Sequence, residues 1–184
     1  MYVLYTDNYI LEGTDIKETE KAIEYIKAAK LVITIKCDIQ DFLGVNIDQK
    51  IYGTIHLTQP HLVDQTLDDL KMGEDVTQKP TTDTSSKVFS RHSNSRDFDN
   101  SFNYQSVIGK LNYMDKVSRS DIVYITHQCA RFSTCTKKEH TKEILWLARY
   151  RKVTNDKGTI LRPVKERGQE MYVDADFAGN WDAK

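Results

Sequence analysis

Tyr104-Gln105-Ser106-Val107-Ile108-Gly109-Lys110-Leu111-Asn112-Tyr113-Met114 is the stretch from which the fold is read. Val107, Ile108, Leu111 and Met114 recur at the spacing that lines one face of an amphipathic helix. The same period continues downstream. Ile122, Ile125, Cys129 and Phe132 form a second stripe, and Ile144, Leu145, Ala148 and Tyr150 form a third. Thr136 and Glu139 have the spacing of a capping box at the start of that third helix. Helices are therefore expected to dominate residues 101–156.

Outside this region the pattern changes. Tyr2 to Tyr5 and Tyr9 to Leu11 predict two short strands around the polar turn Thr6-Asp7-Asn8, because Asp and Asn both suit tight turns. A helix follows, with Asp15 as its cap, Glu18 at the capping-box position, and Ile16, Thr19, Ile23 and Ile26 at helical spacing. Leu31 to Ile35 is a strand by composition. Phe42 to Ile47 is another, with Leu43, Val45 and Ile47 alternating, and the chain turns around Gly53 into Thr54 to Leu57. These last two strands are expected to pair as a hairpin. Pro60 suits the first turn of a helix whose face is Val63, Leu67 and Leu70. Residues 74–100, rich in Thr, Ser, Asp and Lys, predict a linker or long surface loop. Two strands, 159–162 and 171–174, are expected at the end. The elements divide the chain into 1–73, the loop 74–100, the helical region 101–156 and a terminal piece 157–184. There is no internal repeat.

Composition bounds the function. Hydrophobic residues at 39% and charged residues at 29% are those of a globular chain. The longest apolar run is far short of the ~20 residues that cross a bilayer, so no membrane span is expected. The N-terminus lacks a basic stretch followed by an apolar run, so a signal peptide is not expected either. Cys37, Cys129 and Cys135 do not form a disulfide framework, which fits a reducing, intracellular setting rather than secretion. The net charge of −1 hides an asymmetry: residues 1–75 hold 7 Lys/Arg against 14 Asp/Glu, and residues 131–167 hold 11 against 4. Such a split fits either a half that tracks a phosphate backbone or solvated helix faces of opposite sign.

Individual residues carry further possibilities. A carboxylate at a hairpin tip, as at Asp7, can reach a divalent metal, although Asp-Asn is also ordinary turn chemistry. His127, Cys129, Cys135 and His140 are zinc-ligand types, but their spacing is wrong for the usual pairs, and Cys129 falls on an apolar stripe. Lys137, Lys138, Lys142, Arg149, Arg151 and Lys152 form a basic cluster partly interleaved with Glu139 and Glu143. Trp146 and Tyr150 lie one helical turn apart and read as core. No nucleophile constellation and no phosphate-cradling Gly-rich loop is present.

A series of segments in order resembles a known family. Tyr5-Thr6-Asp7-Asn8 is similar to the Tyr-x-Asp-Asp palm motif of reverse transcriptases. Asp41-Phe42-Leu43-Gly44-Val45 is similar to the primer-grip hairpin and is followed by Gly53-Thr54-Ile55-His56-Leu57-Thr58-Gln59-Pro60. Then come Tyr104 to Tyr113, Arg119-Ser120-Asp121-Ile122-Val123-Tyr124, His140 with the helix through Leu147 to Lys152, and Tyr172-Val173-Asp174-Ala175-Asp176-Phe177-Ala178-Gly179. Together they resemble the C-terminal part of the reverse transcriptase of copia-type retrotransposon Pol polyproteins, running into the start of ribonuclease H.

The resemblance implies an α+β chain: a partial right-hand polymerase with palm hairpin, primer-grip sheet and thumb helix, then a helical connection and the first strand of a ribonuclease H-like domain. It implies Mg²⁺ as cofactor, with Asp7 a palm metal ligand and Asp174 the first nuclease ligand. Asp176 ranks below Asp174, with which it shares a strand face by alternation. Leu43 and Gly44 would hold the primer terminus. Lys137, Lys138, Lys142, Arg149 and Lys152 would track the backbone of an RNA–DNA hybrid or primer–template duplex, since hybrid binding relies on phosphate contacts. The implied setting is a cytoplasmic particle or the nucleus, with the other polyprotein segments as partners.

The departures point away from catalysis. Asn8 stands where the family has a second Asp, which removes one negative charge from a site for two dications. Ser120 stands in place of Pro, and Arg151 and Val153 in place of Leu and Gly. The family's other catalytic Asp would lie upstream of Met1, and its remaining nuclease carboxylates beyond Lys184. The expectation is a catalytically silent polyprotein fragment. A duplex-binding remnant and a segment active only within a longer chain are the alternatives.

Overall fold

The structure, a computed structural model, describes residues 2–5, 8–11, 15–30, 32–35, 39–73 and 94–164. It divides into two compact units, Met1–Leu43 and Gly44–Lys184.

In the first unit, β1 (Tyr2–Tyr5) and β2 (Asn8–Leu11) pair antiparallel, with Tyr2 opposite Leu11 and Tyr5 opposite Asn8. Asn8 thus lies in a strand rather than in the turn, while Thr6 and Asp7 fall outside the described residues. The helix α1 (Ile16–Ala28) is capped by Asp15, whose carboxylate accepts from Lys17 N at 2.9 Å. Glu18 does not close a capping box; it pairs with Lys21, also at 2.9 Å. Of the strand expected at 31–35, Leu31 lies outside the described residues, and residues 32–35 have no regular structure, with Val32 fully exposed. Strand propensity expresses packing against a partner, and here the side chain has none to pack on.

The strand expected over Phe42 to Ile47 is interrupted. β3 (Asp41–Phe42) is followed by Leu43 and Gly44 at φ 52° and 75°, and β4 (Val45–Gln49) begins only after them. Two successive positive φ values are those of a type I′ turn, so the Leu43-Val45-Ile47 alternation fails at its first member.

The second unit holds β4, β5 (Ile55–Thr58) and β6 (Thr159–Leu161), joined antiparallel in that order. Ile47 faces Leu57 and His56 faces Ile160. The expected hairpin is thus formed, closed by a 3₁₀ turn over Ile51–Gly53. Gly158 lets β6 approach β5: a Cβ there would overlap Leu57 O and stand 2.7 Å from Thr58 Cγ2. Gly158→Ala is therefore expected to displace β6 and cost about 1–3 kcal/mol, as overpacking does. Faster amide exchange at Thr159 and Leu161 is the check; unchanged exchange would show that the strand absorbs the methyl group.

The core lies among the helices. α2 (Pro60–Asp69) starts with Pro at its first position, where no N–H is needed, and buries Val63 with Leu70 just beyond its end. α3 (Tyr104–Val117) is capped by Asn103, which accepts from Ser106 N at 3.0 Å, and it buries all four residues of the expected stripe. The second stripe is split between a 3₁₀ turn (Ser120–Ile122) and α4 (Val123–Ala130), with Phe132 beyond the helix, yet all its members are buried. α5 (Lys138–Val153) buries Ile144, Ala148 and Tyr150 of the third stripe, while Leu145 is half-buried and Leu147, not in the expected stripe, is fully buried.

The expected Thr136–Glu139 capping box is not used. Thr136 Oγ1 donates back to Phe132 O, and the cap falls one residue later, at Lys137, whose backbone N–H donates to His140 Nδ1 at 3.0 Å. An imidazole nitrogen replaces the carboxylate of the usual box. Polar bonds join α2 to α3 at both ends: Ser118 Oγ donates to Gln59 Oε1 at 2.7 Å, and Lys110 pairs with Asp69 at 2.9 Å. Of the loop expected over 74–100, residues 74–93 lie outside the described residues. Residues 94–100 run as a strap over the start of α5, with Asp97 bridged to Lys137. The strand expected over 171–174 also lies outside the described residues.

Candidate nucleic-acid interface

α5 sorts its charges by face. At 3.6 residues per turn, Lys138, Lys142, Arg149 and Lys152 share one side of the helix, while Ile144, Leu147, Ala148 and Arg151 share the buried side. From Lys138 to Lys152 the stripe runs ~21 Å at 1.5 Å per residue. That is roughly six steps of a duplex strand at ~3.4 Å each.

The members of the stripe differ in their surroundings. Lys142 is exposed, and Arg149 is half-buried with its Nε out of solvent and unpaired. Lys152 Nζ donates to Gly73 O at 2.9 Å. At the other end the strap supplies counter-charges: Asp97 pairs with Lys137 at 2.6 Å and Asp99 with Lys138 at 3.3 Å. Hydrogen bonds from Ser101 and Lys138 hold the Asp99 carboxyl below its ordinary range, so it is charged near neutrality. The basic cluster read from the sequence is thus divided. Lys137 and Lys138 are locally neutralised, and Arg151 is only 2% exposed with Nη2 3.4 Å from Met114 Sδ. Lys142, Arg149 and Lys152 make up the rest of the stripe.

What holds α5 in place is a polar cluster absent from the sequence reading. Arg119 is 1% exposed. Its Nε and Nη2 donate to the two oxygens of Asp121 at 2.8 and 2.7 Å, while Nη1 and Nη2 donate to Thr154 O and Oγ1 at 2.7 and 2.8 Å. Its Cζ lies 5.4 Å from the centre of the Tyr150 ring, whose hydroxyl donates to Asp121 Oδ2 at 2.7 Å. Burial would raise the Asp121 carboxyl, but the hydrogen bonds from Arg119 and Tyr150 and the guanidinium charge outweigh it and hold the group low. Burial, reinforced by the bond to Asp121, pushes the Tyr150 phenol up. The bidentate fork to Asp121 fixes the guanidinium, and the bonds from Arg119 to Thr154 and from Tyr150 to Asp121 join the turn after α3 to the end of α5, fixing the rotation of the basic face. The signal available in the sequence was the Arg119-Ser120-Asp121 run between two apolar stripes.

The metal readings find no centre among the described residues. Asp7, Asp174 and Asp176, the candidate Mg²⁺ ligands, lie outside the described residues, and among those residues no group of three or more His, Cys, Asp or Glu is placed to hold a metal. Cys129 is fully buried, as its stripe position implies. His140, also fully buried, stacks on Phe132 at 4.3 Å, and burial holds its pKa down, so it is a neutral cap rather than a ligand. His127 instead faces Asp115 at 3.7 Å, a carboxylate that burial pushes up. At the Leu43-Gly44 turn, nothing lies within 4 Å of a Cβ built on Gly44, which leaves the backbone there open to approach. Trp146 is half-buried, and Tyr150 belongs to the Arg119 cluster. No helix among the described residues is long and apolar enough to cross a membrane.

No protein-family profile and no solved structure matches the chain. Two curated proteins do. The retrovirus-related Pol polyproteins from transposons RE1 and RE2 of Arabidopsis thaliana are each 25% identical over 182 residues, 98% of this chain. The chain spans 12% of the length of these relatives. The likeness runs through nearly the whole sequence and supports an origin in a retrotransposon Pol polyprotein.

Proposed function

We propose that this chain is the copia-type reverse transcriptase segment from the palm end through primer grip, thumb and connection to the start of ribonuclease H, and that it binds the backbone of an RNA–DNA hybrid without catalysing a reaction. The observation that carries the binding role is the single face of α5 bearing Lys142, Arg149 and Lys152, with Lys138 at its end. A row of cations at this spacing matches a periodic anion and carries no base specificity, as expected of a module that must accept any template. The family's Mg²⁺ would be held by Asp7 in the palm and Asp174 in the nuclease. Asn8 weakens the first site, because an amide lacks the charge that two dications require. Leu43 and Gly44, in a turn with open space at Gly44, suit the close approach a primer terminus makes.

Binding of the full chain to a labelled RNA–DNA hybrid, followed by fluorescence anisotropy from low to moderate salt, tests this reading. Three to four phosphate contacts predict a slope of log K against log salt of about −3. Absence of binding at low salt, or an affinity indifferent to salt, would overturn it.

A further inference from the structure

The strap that neutralises Lys137 and Lys138 also walls a cleft. Residues 94–103 are pinned along their length: Phe98 N donates to Thr136 O at 3.2 Å, Lys138 N to Arg96 O at 2.9 Å, and Glu139 N to Ser95 Oγ at 3.2 Å. The strap, the first turn of α3 and the turn after α4 border an open cleft of about 380 Å³, within the size range of small-ligand sites. Because its walls are already bonded in place, little ordering would accompany binding.

The chemistry of the lining narrows the occupant. It carries no ionised side chain, which disfavours a phosphate, a carboxylate or a metal ion as the seated group. Phe98 and Phe102 contribute half-buried rings 4.9 Å apart, tilted by 54°. Tyr104 stacks beside Phe102 at 6.2 Å and is fixed by its hydroxyl bond to Cys129 O at 3.0 Å. Donors and acceptors stand next to these rings. Asn103 spends its oxygen on Ser106 N and keeps its amide N–H groups; Gln105 spends an N–H on Ser133 O at 3.4 Å and keeps its oxygen. Ser133 and Thr136 each donate to a backbone carbonyl and retain lone pairs. A neutral, planar ligand with donors and acceptors along one edge satisfies all of these at once.

We propose that this cleft seats one unpaired nucleobase, stacked on Phe102 and read at its edge by Asn103 and Gln105. The inference rests on the nucleic-acid reading above and adds a site to it: the α5 face holds duplex backbone, and the cleft takes a base that has left the duplex. Recognition of this kind, with aromatic faces below and amides at the edge, is how proteins hold single-stranded bases.

The full chain is titrated with three labelled hybrids: blunt, with a four-adenosine overhang at either end, and with the same overhangs lacking bases. The overhang is expected to tighten binding about tenfold over the blunt hybrid, the effect of stacking one base, and the abasic overhang is expected to lose that gain. Phe102→Leu keeps an apolar side chain and is expected to abolish the gain. Gln105→Ala, at an exposed helical position on the cleft, removes one edge contact and is expected to reduce it with little effect on folding. Competition by free adenosine would show that the base alone is the ligand; competition only by single-stranded oligonucleotide would show that the base is taken as part of a strand, and either result supports the site. If blunt, overhanging and abasic hybrids bind alike with a normal salt slope, the cleft proposal falls and the backbone reading stands. If none binds at low salt, both fall.

Discussion

Arg119→Met is expected to lower the stability of the helical unit by about 3 kcal/mol, the lower end of the range for breaking a buried ion pair. At 2–4 °C per kcal/mol for a unit of this size, that is a fall in Tm of roughly 10 °C. The guanidinium is 1% exposed and makes four bonds, so its removal strips partners from Asp121 and from both oxygens of Thr154. The loss stays near the lower end because the Asp121 side chain is 39% exposed and water can take over part of its solvation. Tyr150→Phe, which removes only the bond to Asp121, is expected to cost about 1 kcal/mol. pH supplies an independent reading. The Asp121 carboxyl is depressed in the folded chain, so its contribution is present above the unfolded value of ~3.9 and is lost as pH falls through the folded pKa. The gap between wild type and Arg119→Met should therefore narrow in acid. Equal Tm values at neutral pH, or a gap unchanged down to pH 2, would show that the cluster does not hold α5.

The contrast between what the sequence made legible and what it hid follows from the range of the interactions. The stripes of α3 and α5 were readable because an apolar period is local: Val107 to Met114 span two turns, and burial of any one follows from the others. The strap was not readable, because Asp97 and Lys137 are 40 residues apart and nothing local marks them as partners. The cap of α5 was misplaced by one residue because Thr and Glu have the stronger general preference, whereas His140 can serve only when its ring is already fixed against Phe132. Leu43 is a comparable case. Its alternation with Val45 favours a strand, but the hairpin needs two positive φ values and Gly44 can supply only one. For the basic cluster, composition counted the charges but did not orient them. Arg151 was grouped with its neighbours, and only the helix register turns it inward against Met114 while Lys152, the next residue, lies outside.

That orientation is what makes the interface testable. Lys142→Gln, Arg149→Gln and Lys152→Gln together are expected to weaken hybrid binding roughly 10²–10³-fold at low salt and to cut the slope of log K against log salt by about 2.7, near 0.9 for each phosphate no longer neutralised. Stability should change little, since Lys142 is exposed, Arg149 half-buried, and the Lys152 bond to Gly73 O lies at the surface. An unchanged melting curve would assign the weaker affinity to the interface itself. Asp99→Asn makes the opposite prediction. It releases Lys138 from its counter-charge at the end of the same face and should tighten binding several-fold while steepening the slope by about one. Net charge alone cannot account for both results if a third variant is included: Lys116→Gln, at the exposed end of α3 and away from the α5 stripe, removes one positive charge and is expected to leave the slope unchanged. Should Lys116→Gln lower the slope as much as any residue of the stripe, the attraction would be diffuse and the α5 face would not be where the duplex sits.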